Sequence, residues 1–269
     1  TGVQTCALPI FDVSRPETIP CTIKDAIIGY VKSLPNRAIE EIESYDRNIQ
    51  YKNDVICAVE RYLNPTKAES LYQEIKKDLS DCDLDLFHAT RVLCEDDIKI
   101  NGLLTNERTR YLDYLYRAFQ HTNLSEISIN RAIHNVENEY DRKYTERKSV
   151  LCFFAPMSLA ESSGIAGYDK YCANIGGELA EWGLKENQHD VYEALRKIGI
   201  PVIVEFRMPF EQITDYAQEK IIYQFILYYA GQLFWNKKFP MQLEGMTEND
   251  VAASEIIAVH HYNKEVDYE

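Results

Sequence analysis

Positive charge is in short supply. The chain sets 29 Lys and Arg against 43 Asp and Glu, for a net charge of −14. That balance argues against a broad phosphate-binding surface, although it leaves room for a local basic patch. Long apolar runs are missing too. The nearest, Ile221 to Trp235, is interrupted by Gln224 and Gln232. It falls short of the roughly 18 uninterrupted apolar residues of a membrane span. It reads as a buried helix, and no membrane partner is expected. No cysteines stand as C-x-x-C, so a zinc ribbon or thioredoxin-type centre has no support. There is no G-x-S-x-G, H-E-x-x-H, Walker-type loop or G-x-G-x-x-G. No metal site is expected. The adjacent His260 and His261 would face opposite ways on a strand, and His121 and His134 lack ligands at suitable spacing.

What is present is ordinary in bulk. Hydrophobic residues make up 45% of 269, which suits a globular chain of one large domain or two small ones. Tyrosine is abundant at 19 residues. Cys21, Cys57, Cys82, Cys94, Cys152 and Cys172 are too sparse for a disulfide framework in a chain this long. They read as reduced thiols in a cytoplasm. The opening TGVQTCALPI, residues 1–10, carries no charge and no helical or strand period. It also lacks the basic start and apolar run of a secretory signal. It resembles, codon for codon, the translation of a short-read sequencing adapter. It is therefore set aside from fold reasoning, Cys6 with it, and the natural start is expected to be missing.

Two textures divide the remainder. Residues 11–80 read as a helical section. Ile39, Ile42, Tyr45, Ile49, Val55, Ile56, Val59 and Leu63 recur mostly at three- and four-residue steps. Asn64 then offers an N-cap, with Pro65 at the first helical position. From residue 81 to 269 the pattern is mixed, and the expected class is α+β. LDLFHATRV alternates as a strand. CEDDIKINGLL reads as a short helix with acids at its start and Gly102 at its stop. Helices follow near 106–121 and 124–147. SVLCFFAP is a buried strand stopped by Pro156. A helix near 189–199 precedes the strand PVIVEFRMPF, 217–235 is helical, and EIIAVHHY forms a last strand.

Two places suggest chemistry. In FHATR, His88 can orient a ribose hydroxyl, the Thr90 hydroxyl can support it, and Arg91 can meet a phosphate. The bland reading is a core histidine with one satisfied nitrogen. In NIGGEL, Gly176 and Gly177 let backbone approach a ligand closely. Glu178 beside them can bond a sugar hydroxyl or stabilise a developing cation. The bland reading there is a turn followed by a helix-capping acid. Tyr168 and Tyr171, in GYDKY, could stack on an aromatic ring.

Taken in order, three segments resemble ADP-ribosyltransferase-like domains. Such domains open with a His followed two residues later by a small hydroxyl residue or glycine, then a helix ending in Gly-Leu. Here these are His88, Thr90, Gly102 and Leu103. PVIVEFRMPFEQI is similar to a later strand of that fold, and VAASEIIAVHHY resembles its closing segment. The resemblance runs discontinuously from about Leu84 to Tyr262. It implies a small, mainly antiparallel split sheet and NAD as substrate. It also implies a His-Tyr-Glu set: His88 on the ribose, Tyr168 or Tyr171 stacked on nicotinamide, and Glu178 at the oxocarbenium-like transition state, with Glu205 in reserve. Thr90, Arg91, Gly176 and Gly177 would complete the cofactor contacts. One departure is plain: Glu178 precedes the PVIVEF strand instead of lying on a late one. The implied activity is ADP-ribosyl transfer or NAD hydrolysis, in a toxin or defence setting. The acidic balance favours a protein or small-molecule acceptor over nucleic acid. The competing expectation is a non-enzymatic interaction domain on the same scaffold. The enzyme requires His88, a tyrosine and Glu178 on one cleft.

Overall fold

The computed structural model describes residues 10–13, 15–33, 36–37, 40, 65–142, 148–155, 157–160, 172–236 and 243–261. The chain divides into two compact units, Thr1–Leu84 with Pro209–Leu243, and Asp85–Met208 with Glu244–Glu269. The segment Pro209–Leu243, expected from sequence within the mixed domain, thus belongs with the N-terminal helices. Most of the helical pattern between residues 36 and 63, with Cys57 and Asn64, lies outside the described residues.

The elements run β1 (Ile10–Asp12), α1 (Cys21–Lys32), α2 (Pro65–Leu79), β2 (Asp83–Val92), α3 (Glu95–Asn101), α4 (Arg108–Phe119) and α5 (Glu126–Asp141). They continue with β3 (Leu151–Ala155), α6 (Gly177–Leu184), α7 (His189–Lys197), β4 (Ile200–Pro209), α8 (Asp215–Trp235), β5 (Leu243–Thr247) and β6 (Ile256–His261).

Helices α1, α2 and α8 of the first unit pack against one another. Ile23, Ile27 and Val31 recur every fourth residue on α1, and Leu71, Ile75 and Leu79 do so on α2, and all six are buried. Each set makes one apolar stripe, the pattern of a helix packed on one side. Helix α8 is apolar most of the way round, with Ile221, Ile222, Phe225, Ile226, Tyr228 and Tyr229 all buried. It ends at Asn236, whose left-handed conformation (φ 51°) stops the helix. Among the described residues no helix is long and apolar enough to cross a membrane.

The second unit is α+β. Its sheet has the strand order β5-β3-β2-β4-β6. Strand β2 pairs antiparallel with β3, setting Phe87 opposite Phe154. Strand β4 pairs antiparallel with β6, in a register that slips between Glu205 and Phe206. Phe87, Ala89, Phe154, Cys172 and Ile203 cluster together. Helices α4, α5, α6 and α7 share a second core that includes Leu115, Phe119, Val136, Leu184 and Leu195. Strand β5, LEGMT, was not anticipated, because five residues containing a glycine carry little strand signal. The described cysteines, Cys21, Cys82, Cys94, Cys152 and Cys172, form no disulfide with one another.

Gly102 closes α3 with φ +73°, and a Cβ there would lie 1.9 Å from the Val251 carbonyl oxygen. Its lack of a side chain lets the chain pass close enough for Leu103 and Val251 to exchange both backbone hydrogen bonds, at 3.0 and 2.8 Å. This bridge places residues 103–106 at the cavity described next.

Candidate functional site

A cavity of about 710 Å3 opens in the second unit, within the range of small-molecule and cofactor sites. Strand β2 forms one wall. Alternation sends His88 and Thr90 to the face of Leu84 and Leu86, and sends Arg91 to the opposite face with Phe87 and Ala89. His88 is half-buried, and its Nδ1 lies 2.6 Å from the Cys152 carbonyl oxygen on β3. A carbonyl only accepts, so Nδ1 is the protonated nitrogen and Nε2 is left as an acceptor. Burial lowers the imidazole pKa from its ordinary value, and the bond to Cys152 opposes that more weakly. The ring is therefore neutral at pH 7, with its tautomer set by backbone.

Arg91 behaves differently from its expected role. Its Nε donates to the Cys172 carbonyl at 2.9 Å, and Nη1 donates to Ile198 and Gly199 carbonyls, both at 3.1 Å. It borders the cavity, but these bonds tie β2 to the chain before α6 and to the turn into β4. The strand period explains this: two residues three apart cannot both project from one face.

The N-terminus of α6 forms a second wall. Buried Asn174 donates its side-chain amide to the Ile175 carbonyl at 2.9 Å and the Gly177 carbonyl at 3.1 Å. Gly176 is left-handed (φ +84°), and a Cβ there would lie 2.6 Å from Leu115 Cδ2. The Tyr111 hydroxyl donates to the Gly176 carbonyl at 2.7 Å, and burial raises the pKa of that phenol and keeps it protonated. This fixed loop delivers Glu178 to the first turn of α6, where a carboxylate also suits the helix dipole. The capping-acid position and the cavity position are thus the same place.

Helix α4 and the segment before it form the third wall. The Glu107 side chain caps α4, accepting from the backbone N–H groups of Thr109 and Arg110, both at 3.1 Å. Asp250 accepts from the Thr105 N–H at 2.7 Å, the Thr105 hydroxyl at 2.8 Å and Arg110 Nη1 at 2.7 Å. Arg110 Nη2 also donates to the Thr105 hydroxyl at 2.8 Å. The Arg110 guanidinium and the Thr105 donors pull the Asp250 carboxyl down to about 2. Tyr114, Tyr116 and Arg117 carry this wall outward.

Of the residues expected from sequence, His88, Thr90, Arg91, Gly176, Gly177 and Glu178 all border this one cavity. Tyr168 and Tyr171 lie outside the described residues. Glu205 does not border the cavity; its Oε2 meets His260 Nε2 at 2.8 Å. His261 Nε2 meets Glu95 Oε1 at 2.7 Å, so the adjacent histidines take separate carboxylates. Among the described residues no group of His, Cys, Asp and Glu could hold a metal ion. Sequence reasoning missed Tyr111, Tyr114, Tyr116 and Arg117. The signal lay in RTRYLDYLYR, where Arg110, Tyr114 and Arg117 fall on one helical face. No family model, curated protein or solved structure matches the chain.

Proposed function

We propose that this cavity binds NAD and cleaves its nicotinamide–ribose bond, passing ADP-ribose to a protein or small-molecule acceptor or to water. The observation that carries the reading is the shared cavity itself. Two short motifs some ninety residues apart, His88 with Thr90 and Gly176 with Gly177 and Glu178, border one space large enough for a cofactor. The neutral His88 suits the part asked of it. With Nδ1 held by the Cys152 carbonyl, Nε2 accepts a hydrogen bond from a ribose hydroxyl and fixes the sugar.

The chemistry then balances simply. The bond between the ribose anomeric carbon and the pyridinium nitrogen breaks, and its electron pair leaves with nicotinamide, which becomes neutral. The ribose carries the positive charge as an oxocarbenium-like species. The Glu178 carboxylate stabilises that charge. The acceptor's nucleophile bonds to the anomeric carbon and gives its proton to Glu178. Tyr116, exposed at the same cavity, supplies aromatic surface for the nicotinamide or adenine ring.

Purified protein incubated with NAD labelled in the adenylate tests the reading. Glu178→Gln is expected to lower turnover by about 10²–10³-fold while NAD still binds. His88→Ala is expected to weaken binding and turnover together. Absence of NAD binding, hydrolysis and transfer in the unaltered protein would overturn the proposal. Binding without turnover would leave a nucleotide-sensing domain in its place.

A further inference from the structure

Three arginines border the cavity, and their donors are differently committed. Arg91 donates to three backbone carbonyls on the far side of β2. Arg110 is held by Asp250 and Thr105, with both terminal nitrogens engaged. Arg117 is the third. Its guanidinium lies 5.6 Å from the centre of the Tyr114 ring. Among the described residues it has no hydrogen-bond or ion-pair partner. Asp113, one turn earlier on the same helix and also at the cavity, is the natural partner at i, i+4, yet no ion pair joins them.

Tyr114 is not a loose platform. Its hydroxyl accepts from the Leu93 N–H at 3.3 Å, which anchors the ring to the end of β2. A guanidinium resting on a fixed aromatic face has fewer orientations to lose when it meets a ligand. Arginine in that setting offers a planar fork that matches phosphate oxygens. We infer that Arg117, seated on Tyr114, is the diphosphate-reading residue of this cavity, an inference that rests on the NAD reading and names which part of the ligand selects it. A phosphate-free nucleoside would lose this contact, and a dinucleotide or nucleoside diphosphate would keep it.

A purely structural role is the competing explanation, because a cation in the last turn of α4 complements the helix dipole. The two differ in what they ask of the ligand. Calorimetric titration of the unaltered full chain, Arg117→Ala and Arg117→Lys with NAD, ADP and nicotinamide riboside separates them. Arg117→Ala is expected to weaken NAD and ADP by about 10–100-fold, the range for losing a charge-assisted hydrogen bond. Riboside binding is expected to be unchanged. Arg117→Lys, which keeps the charge but not the fork, is expected to fall between. Equal losses for all three ligands, or no loss for NAD, would overturn the inference while leaving NAD binding in place. If the unaltered protein binds ADP, and loses it with Arg117, but does not bind NAD, the anion site stands and the NAD reading falls. Binding of none of the three overturns both.

Discussion

Arg91 on the strand wall and Arg117 on the helix wall both border the cavity, and the two residues have little in common beyond their side chain. Arg91 leaves β2 away from His88 and is bonded to the backbone of two distant segments. Arg117, exposed on α4, borders the cavity and lies over the Tyr114 ring. A strand has neighbours at both sides and alternating faces, so a long polar side chain near its end finds carbonyls within reach. In a helix the backbone bonds run along the axis, so an exposed side chain is left to solvent or ligand. The first arrangement sets the shape of the site. The second is available to read what enters it.

Replacing each arginine with alanine is the strongest way to break that comparison. Arg91→Ala strands three carbonyls and is expected to cost about 3 kcal/mol or more. That corresponds to a fall of roughly 6–12 °C in melting temperature for a domain of this size. Arg117→Ala is expected to change stability by less than about 0.5 kcal/mol. Equal effects in thermal melts would erase the distinction between the walls. A smaller effect tests the second wall. Gly176→Ala forces a side chain into a left-handed position against Leu115, at a cost of about 1–3 kcal/mol. It should also shift Glu178, so turnover is expected to fall by more than the loss of folded protein accounts for. Circular dichroism and turnover on the same samples separate the two losses.

The smallest expected effect concerns Asp250. Its folded pKa is depressed to about 2, below the roughly 3.9 of an unfolded aspartate. Its contribution is therefore complete above about pH 4 and is lost as pH falls through about 2. The side chains of Asp250 and Arg110 are 42% and 40% exposed, so solvent screening holds the contribution to about 1 kcal/mol at most. Asp250→Asn is expected to flatten that part of the acid melting profile. An unchanged profile would show that the Arg110 anchor does not depend on the charge.

Local pattern announced much of this fold. The alternation of LDLFHATRV is β2, and the acids and glycine around DDIKIN bracket α3, because capping and period are local properties. The His88 and Glu178 motifs were legible for the same reason: a triplet on a strand end and a glycine pair before an acid are visible within a few residues. The third wall was not. Arg110, Tyr114 and Arg117 sit in a helix whose charges read equally well as a solvated face. Only the packing of α4 against Gly176, through the Tyr111 hydroxyl, turns that face toward a cavity. The fate of Arg91 was legible in part, since strand period alone separates it from His88. Its carbonyl partners lie more than eighty residues away and could not be read locally.

The division of the chain also dictates the order in which the molecule can be completed during synthesis. A ribosome that has reached residue 209 has made strands β2, β3 and β4, but the helical unit still lacks α8 and the sheet lacks both of its outer strands. Until β5 and β6 emerge, β3 and β4 lack their outer partners and present open rows of backbone donors and acceptors. The nascent chain thus passes through a stage in which its most apolar strands are exposed along their edges, the condition under which chains pair with the wrong partner.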